Sequence, residues 1–182
     1  MNLEQFLYLP FGNNIIIGNH IKEQLKFLSK IVPEEFKEKE MYDLGCGDGK
    51  ITILLQKIFK PKKLLGCDVN SALAKRAKRR GIIAEVYNLE KDVPKGELAI
   101  VWGVIHHLKN QIEILEKIKE NFQFLFLREP LMTEEKKSFL ELGKPFERKK
   151  IEEICQEVFG KYKDYEHKGA YFLFWQKPRN RT

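Results

Sequence analysis

Tyr42-Asp43-Leu44-Gly45-Cys46-Gly47-Asp48-Gly49 is the stretch on which the fold turns. A strand-like run from Glu38 to Asp43 leads into it, and a helix-like run from Lys50 to Phe59 leaves it, stopped by Pro61. The next strand-like run, Lys63 to Cys67, ends at a carboxylate, Asp68. A strand, a glycine turn, a helix and a second strand closed by an acid suit a nucleoside held at the carboxyl edge of a parallel sheet. The spacing Gly45-x-Gly47-x-Gly49 is not the G-x-G-x-x-G of dinucleotide-binding turns. Its last glycine comes one residue early, and Asp43 precedes the set. A carboxylate there repels a pyrophosphate and accepts from an ammonium. The implied ligand is a nucleoside with a cationic amino-acid tail. Gly47 and Gly49 let the backbone approach it closely, the helix N-terminus suits its carboxylate, and Asp68 is placed to accept from both ribose hydroxyls.

Outward from the turn, strands and helices alternate. Upstream, residues 1–19 read as irregular, and Ile21, Leu25, Leu28 and Val32 then mark one helical face ending before Pro33. Downstream, Ser71 to Arg80 reads as a helix with Gly81 at its C-terminus. Ile82 to Tyr87 and Leu98 to Val101 read as strands, Ile112 to Phe122 as a helix and Phe124 to Leu127 as a fifth strand. Thr133 is expected to cap a short helix to about Leu142, and Ile151, Ile154, Cys155 and Val158 mark another ending at Gly160. Tyr162 to Glu166 and Tyr171 to Gln176 close the chain as strands around a turn at Lys168-Gly169. Long helical crossovers require parallel neighbours, while the short last connection requires an antiparallel pair.

The 182 residues are 43% hydrophobic and 32% charged, which describes one soluble globular domain with charge above the usual ~25%. Lys and Glu make up that excess, a bias of thermophile surfaces. The net charge of +7 admits an anionic partner such as RNA or a phosphorylated metabolite. The densest basic cluster, Lys75 to Arg80, fits a solvated helix face as well as a phosphate contact. Cys46, Cys67 and Cys155 lack metal-ligand spacing, so no metal is expected and a reducing, cytoplasmic setting is. No apolar run is long enough to span a membrane, and Met1 to Pro10 lacks a signal pattern.

Tyr42 to Gly49 resembles motif I of the class I S-adenosylmethionine (SAM)-dependent methyltransferases, and Gly66-Cys67-Asp68-Val69-Asn70 resembles their acidic motif II. Leu98 to Leu108, which includes His106 and His107, is similar to the fourth-strand motif of the ubiquinone/menaquinone-biosynthesis-like branch (type 11), and Phe126 to Pro130 to its fifth strand. The resemblance covers about residues 38–130. It implies an α/β, Rossmann-like, seven-stranded, mostly parallel sheet of order 3-2-1-4-5-7-6, with strand 7 antiparallel and helices on both faces. It also implies a single methyltransferase domain over 1–182, in which residues 1–37 are an N-terminal lid and helix and 38–182 the SAM-binding core.

Carried over by position, the resemblance puts Asp43, Gly45 and Gly47 at the methionine part of SAM, with Cys46 beside them. Asp68 would meet the ribose and Val69 one face of adenine. Asn88 stands where the family often has Asp near the adenine amine, with Leu89 next to it. Val101 and Trp102 occupy the end of strand 4, where small or polar residues are commoner, and Trp102 fits a ligand stack or a core position equally well. His106 and His107 are candidate proton acceptors, although the sulfonium leaving group lets many methyl transfers proceed without a strong base. Tyr8, Phe11 and His20 belong to the segment that folds over the pocket in the family. Arg128 and Glu129 stand on its substrate side, where they could bind a polar group, and a structural ion pair is the preferred reading of them.

Absent motifs narrow the acceptor. No Asn/Asp-Pro-Pro-Tyr/Phe follows strand 4, and no Pro-Cys pair or Cys-x-x-Cys set is present. The expectation is a cytoplasmic SAM-dependent methyltransferase acting on a small molecule. RNA methylation, or a non-catalytic SAM-binding sensor or partner subunit, is the alternative. Nothing in the composition sets the oligomeric state.

Overall fold

The computed structural model describes residues 18–132 and 144–178. Tyr8 and Phe11 of the expected lid, and the helix expected from Thr133, lie outside the described residues. The described strands form a seven-stranded sheet in the order β3-β2-β1-β4-β5-β7-β6, numbered along the chain. The chain divides into two compact units, Met1–Asn88 and Leu89–Thr182.

The first unit contains α1 (Asn19–Ile31), a 3-10 turn (Glu34–Phe36), β1 (Glu40–Leu44), α2 (Lys50–Phe59), β2 (Lys63–Asp68), α3 (Ser71–Arg79) and β3 (Ile83–Val86). Helix α1 buries Leu25 and Leu28 and stops at Val32, whose extended backbone (ψ 122°) is the conformation a following proline imposes. Strand β2 pairs in parallel with β1 and with β3. Helix α3 begins at Asn70, whose side-chain oxygen accepts from the amides of Ala72 (3.0 Å) and Leu73 (3.3 Å), and ends before Gly81 at φ 85°, as its sequence requires. Cys46, Ala77, Ile82 and Ala84 form a small core under the glycine turn, joined by Ile53 and Leu64. Met41, Leu44, Leu55, Phe59 and Cys67 are fully buried.

The second unit contains β4 (Gly96–Trp102), a 3-10 turn (Ile105–His107), α4 (Gln111–Asn121), β5 (Phe122–Pro130), α5 (Arg148–Phe159), β6 (Lys163–His167) and β7 (Ala170–Gln176). Strand β5 runs parallel to β4 and antiparallel to β7, which is antiparallel to β6. Leu98–Val101, Leu125–Leu127 and Ala170–Trp175 are continuous buried runs, the pattern of strands covered on both faces. Lys168 (φ 49°) and Gly169 (φ 68°) form the two-residue connection between β6 and β7; positive φ at both positions matches the twist of a hairpin.

Strand β5 departs from expectation. Phe122, which falls on the periodic face of α4, ends that helix and starts the strand opposite Gly96. A Cβ on Gly96 would lie 2.9 Å from the Phe122 ring, so the missing side chain makes room for the aromatic. The strand also reaches Pro130, beyond the apolar run, because Arg128 and Glu129 are buried and paired with Phe172 and Tyr171 of β7.

Candidate functional site

The glycine turn of the first unit is pinned to the end of β2. The amides of Gly45 and Cys46 both donate to the Cys67 carbonyl at 2.8 Å. The Gly47 amide donates to Asp68 Oδ2 at 2.9 Å, and the Asn70 amide donates to Asp68 Oδ1 at 2.8 Å. One carboxylate thus ties the turn to the start of α3 while each of its oxygens keeps a further lone pair. Burial raises the Asp68 pKa against the pull of those two amides.

Gly45, Gly47 and Gly49 have φ of 84°, 54° and 82°, a region that side chains disfavour. Their surroundings differ. A Cβ on Gly47 would meet nothing within 4 Å, so one side of the turn is open beside Asp68. A Cβ on Gly49 would lie 2.5 Å from Ile82 Cδ1 and 3.2 Å from Ala77 Cα, so this glycine serves the packing of the turn against α3. Asp48 pairs with Lys50 (3.5 Å) and Arg80 (3.4 Å), and Arg80 Nε donates to its carbonyl at 2.9 Å. The last arginine of the basic cluster therefore braces the turn.

Asp43 lies beneath the turn, 2% exposed, and accepts from the Thr52 hydroxyl of α2 at 2.5 Å. Burial pushes its carboxyl up to about 7; the Thr52 hydrogen bond opposes that shift and the Asp68 charge adds to it. A buried acid held near neutrality ionises readily when a cation arrives. Thr52 was not singled out in the sequence, although a hydroxyl one turn into the helix after the glycines is the available signal. Cys46 turns its side chain into the small core and offers the outside only its backbone. Val69 is 47% exposed just past the β2 end, Asn88 is half-buried and Leu89 is buried.

In the second unit, Val101 is fully buried and Trp102 half-buried at the end of β4. The Trp102 ring packs against Phe126 and Phe172 at centroid distances of 6.3 and 6.5 Å, and the Arg128 guanidinium lies 5.3 Å from its centroid. Successive strand residues face opposite sides, so Glu129 turns away from Arg128. Its Oε1 accepts from the amides of Val104 (2.9 Å) and Ile105 (2.8 Å), and its Oε2 meets His106 Nδ1 at 2.6 Å. The side-chain partner of Glu129 is therefore His106, not Arg128. His107 stacks on His106 at 3.9 Å, and burial together with that neighbour pulls its pKa down to about 4. His20 is the second residue of α1, with its ring folded over Gly18.

A glycine turn clamped by the acid of β2, with a seven-stranded sheet in which β7 runs antiparallel to its neighbours β5 and β6, is the fold of the class I SAM-dependent methyltransferases. The chain belongs to the methyltransferase domain family, whose model matches residues 18–158. A protein-lysine N-methyltransferase of Saccharolobus islandicus (strain REY15A) is 38% identical over 96 residues. That match takes in 53% of this chain and 52% of the relative, so the chain spans about half the length of the curated relative it matches. The N-methyltransferase NodS of Bradyrhizobium japonicum WM9, solved with S-adenosyl-L-homocysteine, is 12% identical with a TM-score of 0.73, covering 98% of this chain and 100% of that one. Magnesium protoporphyrin IX methyltransferase of Synechocystis PCC 6803, solved with bound SAM, is 11% identical with a TM-score of 0.67, covering 98% and 99%. At such identities the likeness to solved structures speaks for the fold and leaves the acceptor open. Among the described residues no cluster of metal ligands is present, and no helix is long and apolar enough to cross a membrane.

Proposed function

We propose that the chain binds SAM at the Gly45–Gly49 turn and transfers its methyl group to an amine, with a lysine side chain of a protein as the leading acceptor. The observation that carries the cofactor half is the open side of Gly47 beside the Asp68 carboxylate, whose two oxygens are already oriented by backbone amides. Asp43 takes the ammonium, Gly45 and Gly47 the methionine backbone, and Asp68 the ribose. Val69 and Asn88 are the remaining cofactor contacts within this unit in this reading, and Cys46 contributes through its main chain. When bound, SAM supplies a methyl group activated by a sulfonium leaving group, so the protein's task is orientation and exclusion of water.

The lysine reading is supported by the relative in Saccharolobus islandicus, whose described activity is protein-lysine N-methylation. Calorimetry should give binding of SAM and of S-adenosylhomocysteine, no binding of NAD, and loss of SAM binding in Asp68→Ala. Turnover is tested with tritiated SAM against total soluble protein, a metabolite mixture and total RNA in parallel. Labelled methyl-lysine in the protein fraction supports the assignment. Label confined to metabolites returns the acceptor to the small-molecule class, and label confined to RNA with steep salt dependence replaces both. SAM binding without turnover on any pool makes the chain a sensor or partner subunit.

A further inference from the structure

The two outer strands of the sheet, β3 and β6, differ in what they expose. A sheet edge is a row of open amides and carbonyls, and proteins commonly guard it with charge. Strand β6 is guarded in this way. Lys163 and Glu166 are exposed, and the carboxylates of Asp164 and Glu166 lie 2.6 and 3.3 Å from the Arg148 guanidinium. Strand β3 instead offers apolar side chains to the outside. Ile83 is 54% and Val86 59% exposed, and Glu85 is the one charge in the strand.

The backbone of β3 fixes which of its groups are open. The Tyr87 amide donates to the Asp68 carbonyl at 3.0 Å, so the main chain of Tyr87 faces β2, and that of Glu85 and Ile83 faces it too. The amides and carbonyls of Ala84 and Val86 then point away from the sheet. Side chains alternate as well: Ala84 packs into the small core against α3, with Val86 on the same face, and Ile83 and Glu85 lie on the other. Helix α3 supplies charge at this edge. Arg80, at its C-terminal end, reaches Asp48 of the turn that follows β1. With about 3.6 residues per turn, Lys75 and Lys78 fall on the opposite flank, the one over the open edge. Both are exposed, and among the described residues neither makes a hydrogen bond or an ion pair.

We propose that the β3 edge docks an extended, acidic segment of another protein. The segment pairs with the main chain of Ala84 and Val86, sets carboxylates against Lys75 and Lys78, and lays an apolar side chain beside Ile83. In such strand addition the backbone hydrogen bonds give affinity and the alternating side chains give specificity. Charge decides between occupants. A second copy of this chain, paired antiparallel through Ala84 and Val86 of both copies, sets Glu85 against Glu85, a repulsive cross-strand pair. It also brings the lysines of both α3 helices over one face. An acidic strand from a different chain meets those lysines with opposite charge. The edge shares no residue with the cofactor contacts assigned above, so the proposal stands apart from the cofactor reading.

The test uses the full chain and a phage-displayed library of short random peptides, selected in parallel on the wild type and on the Lys75→Glu/Lys78→Glu variant. Peptides selected on the wild type should alternate Asp or Glu with Val or Ile. Those selected on the charge-reversed variant should carry Lys or Arg in place of the acids. A synthetic copy of the acidic peptide should bind the variant about tenfold more weakly than the wild type, and high salt should close the gap. Val86→Pro removes only an outward amide, so it should fold and lose the peptide. Amide exchange followed by NMR should find Ala84 and Val86 open in the free chain and protected in the complex. Should Val86→Pro not fold, the charge reversal and the exchange data still decide. No selected peptide, the same peptides on both proteins, undiminished binding by Val86→Pro, or amides already protected in the free chain each overturns the proposal. Dimerisation in sedimentation that Val86→Pro abolishes overturns it too and makes a second copy the occupant. A wild type that binds the acidic peptide but not SAM upholds the docking edge and sinks the cofactor reading.

Discussion

Asp43→Asn should make the unliganded protein more stable at alkaline pH and leave it unchanged at acid pH. The carboxyl is buried, and its pKa rises from 3.8 to about 7, chiefly because burial disfavours the charge. Between those values the folded chain keeps a proton that the unfolded chain has released. Stability therefore falls as pH rises through that window, and the loss is complete above about 7. A shift of this size corresponds to about 4 kcal/mol in total, at ~1.4 kcal/mol for each unit of pKa. An asparagine has the same shape, carries no charge, and its carbonyl can still accept from the Thr52 hydroxyl. Urea unfolding of both proteins at steps between about pH 4 and about pH 9 gives the difference directly. The curves should coincide at the acid end and diverge to about 4 kcal/mol by about pH 8, equivalent to roughly 8–16 °C in the midpoint of thermal unfolding for a chain of this length. A difference that does not depend on pH, or a wild type that gains stability above neutrality, refutes the reasoning. Saturating SAM should narrow or reverse the gap, because an ammonium paired with Asp43 stabilises only the ionised folded state.

Gly47→Ala should lower stability by only about 1–2 kcal/mol, the strain of a left-handed backbone, while SAM binding measured by calorimetry is lost, because the open side of the turn is filled. Gly49→Ala should behave in the opposite way, losing roughly 3–5 kcal/mol in urea unfolding from the same strain plus overlap with Ile82 and Ala77. Asn70→Ala should cost about 1 kcal/mol in thermal unfolding by uncapping α3, with a smaller loss of SAM affinity, since the Asn70 amide that orients Asp68 remains.

Among the described residues, the order of elements, the antiparallel close and the glycine turn were legible in the sequence, because each is a local signal. Hydrophobic period, turn residues and glycine spacing act over a few neighbours. What escaped were contacts between residues far apart in the chain. The strand from Phe122 to Pro130 looked shorter because its last residues are charged, and only pairing with β7 makes their burial possible. Thr52 gained a role only when α2 folded back over β1 and set its hydroxyl on Asp43. Asp43 and Asp68 could be identified as carboxylates from sequence, but their raised pKa values come from burial, which a sequence does not contain.

Gly47 and Gly49 look alike in the motif, and their neighbours alone separate them: open space beside one and the Ala77 backbone beside the other. The sequence by itself carried the motifs whose resemblance points to the class of the chain and the turn proposed for a nucleoside ligand, since residue type and spacing are local. Only the tertiary structure decided which carboxylate is dry, which glycine is open and which histidine is held by Glu129. Burial and the direction of a hydrogen bond are properties of the packed chain, set when β5 brings residue 129 against the turn at 104–106.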